Sequence, residues 1–241
     1  MSGEERMPLV AHLEEFRNRL VKAAAAVLVG SIVSFIFRDW IFDLLTGPWD
    51  QVAGDRDLAF FRPTEAFSLF MRLSLFGGFV LASPVVMWQA WAFITPALKE
   101  RERRYVVPAA LALGSLFIGG VVAGYWALGR GLDFLLDFGT GLEPTIGGSF
   151  YLSFAMRFIL VFGLAFEFPV FLFAASALGV VSRDRLAKGR RWAILVIVII
   201  GAVITPSGDP LTLALLSAPL YILYEATLLA LLVFQRKRKR K

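Results

Sequence analysis

Carboxylates that could bind something stand in two basic stretches of this 241-residue chain. Glu14 and Glu15 lie in His12-Leu13-Glu14-Glu15-Phe16-Arg17-Asn18-Arg19-Leu20, and Glu100 and Glu102 in Pro96-Ala97-Leu98-Lys99-Glu100-Arg101-Glu102-Arg103-Arg104. A carboxylate can receive an arginine fork bidentately, so spaced carboxylates could form a surface for a basic ligand. The same spacing allows a plainer outcome. Glu14 with Asn18, or Glu15 with Arg19, at helical i, i+4 distance would pair within the segment and contribute only tenths of a kcal/mol. Glu167 is a different case, because it stands in an apolar run as Ala165-Phe166-Glu167-Phe168-Pro169. A carboxylate in lipid costs a few kcal/mol, so it should face a bundle interior or a wet cavity. It is then either a protonated acid hydrogen-bonded to a neighbouring helix or the centre of a functional polar cavity.

Other polar residues have simpler expectations. Pro169 removes a backbone hydrogen bond to the Ala165 carbonyl and can bend the helix beside Glu167. Gln89, between Trp88 and Ala90, is on its own interhelical glue. Arg72 and Arg157 are the only basic residues inside long apolar segments. They are expected to pair with Glu65 or with acids of the polar segments, or to snorkel. Asp209 suits a turn, or a shallow charge that a partner helix could use. His12 is expected to act as a cap or headgroup contact.

The elements that must position these groups are membrane helices. A chain that is 58% hydrophobic and 18% charged cannot hide its apolar surface in one soluble core. A span needs about 20 apolar residues, and the sequence predicts six, over about 20–37, 66–94, 105–128, 150–181, 192–204 and 211–234, in a single membrane domain, 1–241. The last pair is short: Trp192 to Ile204, and Leu211 to Tyr224 before Glu225, reach only roughly 20 Å each at about 1.5 Å per residue. That hairpin is re-entrant or crosses a thinned bilayer. Two long polar segments, Arg38 to Arg62 and Gly129 to Ser149, are expected as partly helical interfacial caps, with Trp40, Phe42 and Trp49 at the membrane surface.

Charge orients the helices. Of the 25 basic residues, 19 lie in four segments: Arg6 to Lys22, Lys99 to Arg104, Arg183 to Arg191 and the tail Arg236 to Lys241. Basic loops resist translocation, so these segments and both termini are expected in the cytoplasm. The N-terminus has no signal-peptide h-region, so the first span is expected to be retained. The net charge of +6 flanks apolar spans, which favours anionic lipid over nucleic acid as its counter-ion. With no cysteine and one histidine, thiolate sites are excluded and no metal is expected. There is no G-x-x-x-x-G-K-[ST] loop and no internal repeat.

At several of these motifs the chain resembles the TatC family, the polytopic receptor of the twin-arginine protein translocase. They are His12-Leu13-x-Glu15-x-Arg17-x-Arg19-Leu20, Trp91-Ala92-Phe93-x-x-Pro96-Ala97-Leu98 leading to Glu102-Arg103-Arg104, Tyr151-Leu152-Ser153-Phe154, Phe166-Glu167-x-Pro169-Val170, Thr205-Pro206 with Asp209, and Pro219-Leu220-Tyr221 with Glu225. The resemblance implies an all-α, six-span, glove-shaped bundle in the bacterial inner membrane, not an enzyme and without cofactors. It implies that Glu15 and Glu102 form the site for twin-arginine signal peptides of folded cargo, with Arg17, Arg19 and Phe93 on the same surface. Pro48, Tyr125, Glu167 and Asp209 match positions that matter for export, Glu167 in the concave face. Gln89 joins them as a candidate translocation or partner contact. Glu14 and Glu100 are secondary. The implied partners are single-span TatA and TatB against the fifth and sixth helices, further copies of the chain and membrane lipid, with the proton motive force as energy source. From the residues alone, a proton-coupled small-solute transporter titrating at Glu167, with Gln89 touching substrate, is the competing reading.

Overall fold

Glycines fix which helices meet. In the computed structural model, which describes residues 9–53, 58–94, 106–138, 146–177, 182–204 and 210–239, α1 (Leu9–Ile36) lies along α3 (Glu65–Ile94). Where they cross, a Cβ on Gly30 would stand 2.6 Å from the carbonyl oxygen of Gly78, so only glycine permits that approach. Gly77 and Gly78 in turn receive Ser34 and Ser31 of α1. A second seam joins α4 (Val106–Phe138) to α5 (Gly148–Phe166). There a Cβ on Gly120 would meet the Phe162 carbonyl oxygen at 2.6 Å, and one on Gly163 would meet the Phe117 ring at 2.8 Å. Lipid tails are as apolar as the side chains, so close backbone packing of small residues, rather than expulsion of apolar surface from water, drives such contacts in a membrane.

Among the described residues, four helical stretches are long and apolar enough to cross a bilayer: Val10–Ile36, Glu65–Phe93, Ala110–Phe134 and Gly148–Phe173. Their outward faces are apolar, with Leu28, Ile36, Leu111 and Val122 all more than 60% exposed. Such a surface suits lipid and not water. The fourth stretch is interrupted where Pro169 predicts a bend: α5 ends at Phe166, Glu167 forms a turn, and α6 (Phe168–Ala177) follows. With no N–H on residue 169 the ladder cannot continue unbroken, and the Glu167 N–H closes a tighter bond to the Leu164 carbonyl at 3.2 Å.

The caps differ from expectation. The segment after α1 is a helix, α2 (Arg38–Ala53), whose Ile41, Leu45 and Trp49 are buried against α3, α4 and α5. Trp49 is 1% exposed, so it belongs to the core rather than to the membrane surface, whereas Trp40 is 64% exposed. Apolar packing at i, i+4 and i+8 explains the difference. Leu132 to Phe138 is no separate element either. It continues α4, held by burial of Leu128 and Leu132 in the same core. The two polar segments touch through a single-residue bridge, Ala59 with Gly147, and no strand occurs among the described residues.

After the short α7 (Arg183–Lys188), capped by Ser182 accepting from the Arg185 N–H, α8 (Arg190–Ile204) and α9 (Pro210–Lys239) pack on one another. The α8 helix has 15 residues, and the apolar stretch of α9 falls at Leu216–Leu232, across Glu225. The α9 helix itself runs on through Glu225 for 30 residues, because that carboxylate is paired and does not end it.

Candidate functional site

The first turns of α1 are pinned to the last turns of α3 by aromatic rings. Phe93 stacks on His12 at 4.4 Å and 20°, and meets Phe16 edge-on at 5.4 Å and 61°. His12 thus has a packing role, in place of the cap or headgroup contact expected of it. Half-buried one turn along from these rings, Glu15 takes both donors of one guanidinium on a single oxygen: Arg19 Nε at 2.9 Å and Arg19 Nη2 at 2.6 Å, both to Oε1. This is the i, i+4 pairing the spacing allows. The other oxygen, Oε2, is buried with no hydrogen-bond partner among the described residues. A shielded carboxylate oxygen without a donor is costly, which makes it an acceptor for an incoming N–H.

Beside the pair runs a cleft of 330 Å³ between α1 and α3, lined by Phe16, Arg19, Leu20 and Ala23 on one side and Val86, Gln89, Ala90 and Phe93 on the other. Arg19 and Gln89 are the only polar residues in that lining. Arg17 and Glu14 are exposed on the α1 surface. Of the residues predicted for one binding surface, the structure brings together Glu15, Arg19 and Phe93. Glu102, with Glu100, lies outside the described residues.

Gln89 and Glu167 do not form one site. Gln89 faces α1 across the cleft just described, whereas Glu167 is 1% exposed and turned toward the backbone of Phe117 in α4. Neither Glu167 carboxyl oxygen has a hydrogen-bond partner among the described residues. It stands in the turn between α5 and α6, two residues before Pro169. Pro48 and Tyr125 do meet at one junction. Tyr125 of α4 is half-buried with its hydroxyl against Gly47, while Pro48 is buried and faces Gly129. Tyr151 secures the same junction by donating to the Leu45 carbonyl at 2.9 Å. Asp209 lies outside the described residues.

One cluster escapes the sequence reading. Arg190 at the start of α8 grips Glu225 of α9 in a fork, Nε to Oε1 at 2.6 Å and Nη2 to Oε2 at 3.0 Å. Tyr221 donates to the same carboxylate at 2.9 Å, and Tyr224 donates to the Leu186 carbonyl of α7 at 2.6 Å. Tyr221 and Glu225 stand in a motif of the resemblance, but nothing in the spacing pairs Glu225 with Arg190, 35 positions away.

Residues 11–219 match the family model described as "Sec-independent protein translocase protein (TatC)". The chain belongs to the TatC family. It is 36% identical over 237 residues to the Sec-independent protein translocase protein TatC of Aquifex aeolicus, covering 97% of this chain and 98% of that one. The TatC of Frankia casuarinae is 37% identical over 239 residues, covering 94% of this chain and 66% of that longer relative. Among solved structures, the fold is similar to a crystal structure of the twin-arginine translocase receptor TatC in DDM, with a TM-score of 0.84 and 35% identity over 91% of this chain and 98% of that one. Family membership makes the chain a multi-pass membrane component of the Sec-independent protein translocation system. The matched region contains Glu15, Arg19, Gln89, Phe93 and Glu167, whereas Glu225 lies beyond it.

Proposed function

We propose that the chain is the receptor and assembly platform of twin-arginine translocation, binding the signal peptides of folded proteins at its cytoplasmic face. The observation that carries this is the Glu15 carboxylate: one oxygen is held by Arg19, which itself lines an apolar cleft, and the other is shielded and has no partner among the described residues. An arginine of the ligand can take Oε2, or displace Arg19 from Oε1, while an apolar residue beside it enters the space lined by Leu20, Ala23, Val86 and Ala90. A second arginine is assigned to Glu102. The planar fork explains why lysine is a poor replacement.

The topology that suits this role has six spans with both termini in the cytoplasm of a bacterial-type inner membrane, supported by the sorting of basic residues into alternate segments. Folded cargo cannot pass through a helix bundle this small. The passage is therefore made with single-span TatA and TatB subunits docking on α8 and α9 and with further copies of the chain, driven by the proton motive force. The role is not enzymatic and takes no cofactor. Glu15→Ala tests it: crosslinking of a twin-arginine peptide to the membrane-inserted protein is lost, and unchanged crosslinking rejects the proposal.

A further inference from the structure

Of the two outcomes expected for Arg72 and Arg157, a carboxylate partner or snorkelling, no carboxylate partner occurs among the described residues. Glu65, the acid offered for that pairing, instead accepts from the backbone N–H groups of Phe61 at 2.9 Å and Arg62 at 3.2 Å. The two guanidiniums converge on one residue. Arg72 Nη1 donates to Ser153 Oγ at 3.3 Å, and Arg157 Nε donates to the Ser153 carbonyl at 3.1 Å. Both side chains are exposed, and together they line a groove of 640 Å³. A guanidinium carries about five N–H donors, so most of those in this groove have no partner among the described residues.

Their depth says what kind of anion can reach them. Helix α3 has 30 residues, about 45 Å, which matches a bilayer with its headgroup layers. The starts of α3 and α5 lie on the same side of the membrane, because Gly148 N–H donates to the Ala59 carbonyl at 2.8 Å just before α3. Arg157 reaches back one turn to the Ser153 carbonyl, and Arg72 meets the Ser153 hydroxyl. Ser153 is five residues into α5 and Arg72 seven residues into α3, so the cluster lies roughly 7–10 Å below the helix starts. Half the difference between a whole bilayer of about 45 Å and its hydrocarbon core of about 30 Å is also roughly 7 Å. The cations therefore sit where headgroup meets hydrocarbon. Below them the groove is walled by Val27, Leu75, Phe79, Met156 and Leu160, wholly apolar and open toward lipid.

We propose that this groove binds one anionic glycerophospholipid of the leaflet at the α3 and α5 N-termini. Arg72 and Arg157 clasp its phosphate, Ser153 holds the two arginines together, and an acyl chain lies along the Val27, Leu75 and Leu160 wall. The lipid supplies a counter-charge that no described residue supplies there and joins α3 to α5 beside the α1 seam. A bidentate fork on phosphate is worth more than a single ammonium contact, so arginine is the apt residue at both positions.

The test uses the full-length protein purified in mild detergent and titrated with dioleoylphosphatidylglycerol, read by native mass spectrometry and by melting temperature. The expected result is one tightly retained phosphatidylglycerol per chain. Arg72→Gln/Arg157→Gln lowers that retention at least tenfold and abolishes the lipid-induced rise in melting temperature. Arg72→Lys/Arg157→Lys keeps part of both, which separates charge from misfolding. Dioleoylglycerol, which has the chains without phosphate, and glycerol phosphate, which has the phosphate without chains, should each fail to compete. Equal retention by the parent and the double glutamine variant overturns the proposal. So does full competition by glycerol phosphate, which would mean a free-phosphate site, or a crosslink from residue 157 to a carboxylate-bearing helix of a partner with no lipid retained.

Discussion

Replacing Glu15 by Gln isolates the carboxylate from the cleft that surrounds it. The Arg19–Glu15 pair is an i, i+4 contact between side chains 25% and 21% exposed, so it contributes only about 0.3–0.5 kcal/mol. An arginine donated by a peptide to the shielded Oε2 is a charge-assisted bond, worth about 1.5–3 kcal/mol. The ligand's gain therefore exceeds the cost of disturbing Arg19. Glu15→Gln keeps the shape, the Phe93 stack and the cleft, but loses the charge. Binding of a twin-arginine peptide, measured by fluorescence titration in nanodiscs, should weaken by about 10- to 150-fold at 1.4 kcal/mol per decade. A twin-lysine peptide, which lacks the planar fork, should bind weakly to the parent and lose less on the same substitution. Equal losses for the two peptides would mean that Glu15 acts only through general surface charge. No loss for either, with the variant inserted and melting normally, would refute the assignment.

Other consequences follow from the packing. Gly78→Leu drives a side chain into the Ser31 backbone of α1, and Gly163→Leu into Phe117; each should cost at least about 1–3 kcal/mol and lower the melting temperature in detergent by several degrees. Glu167→Gln removes no hydrogen bond among the described residues, so melting should be unchanged or raised, and a fall of several degrees would reveal a partner at that carboxyl. The same substitution distinguishes the competing transporter reading, which requires the parent to show solute-driven proton flux in liposomes and the variant to lose it; absence of flux in the parent ends that reading. Arg190→Ala opens an exposed fork that solvent screens, so the denaturant midpoint should be nearly unchanged.

Sequence by itself determined that this chain lives in a membrane, because length, apolar content and the sorting of 19 of 25 basic residues act through transfer free energy, which needs no tertiary information. It also located the interruption at Glu167, since proline removes its backbone donor in any context. The carboxylate of Glu15 and the ring of Phe93 were legible as motif residues, but they lie 78 positions apart, and only the α1 and α3 seam brings His12, Phe16 and Phe93 into one stack. That seam depends on backbone approach at Gly30 and Gly78, which spacing permits without specifying a partner helix. Burial of Trp49, the fork of Arg190 on Glu225 and the convergence of Arg72 and Arg157 on Ser153 were decided the same way. Each joins residues remote in sequence through contacts a few ångströms long, and hydropathy carries no record of which apolar faces meet.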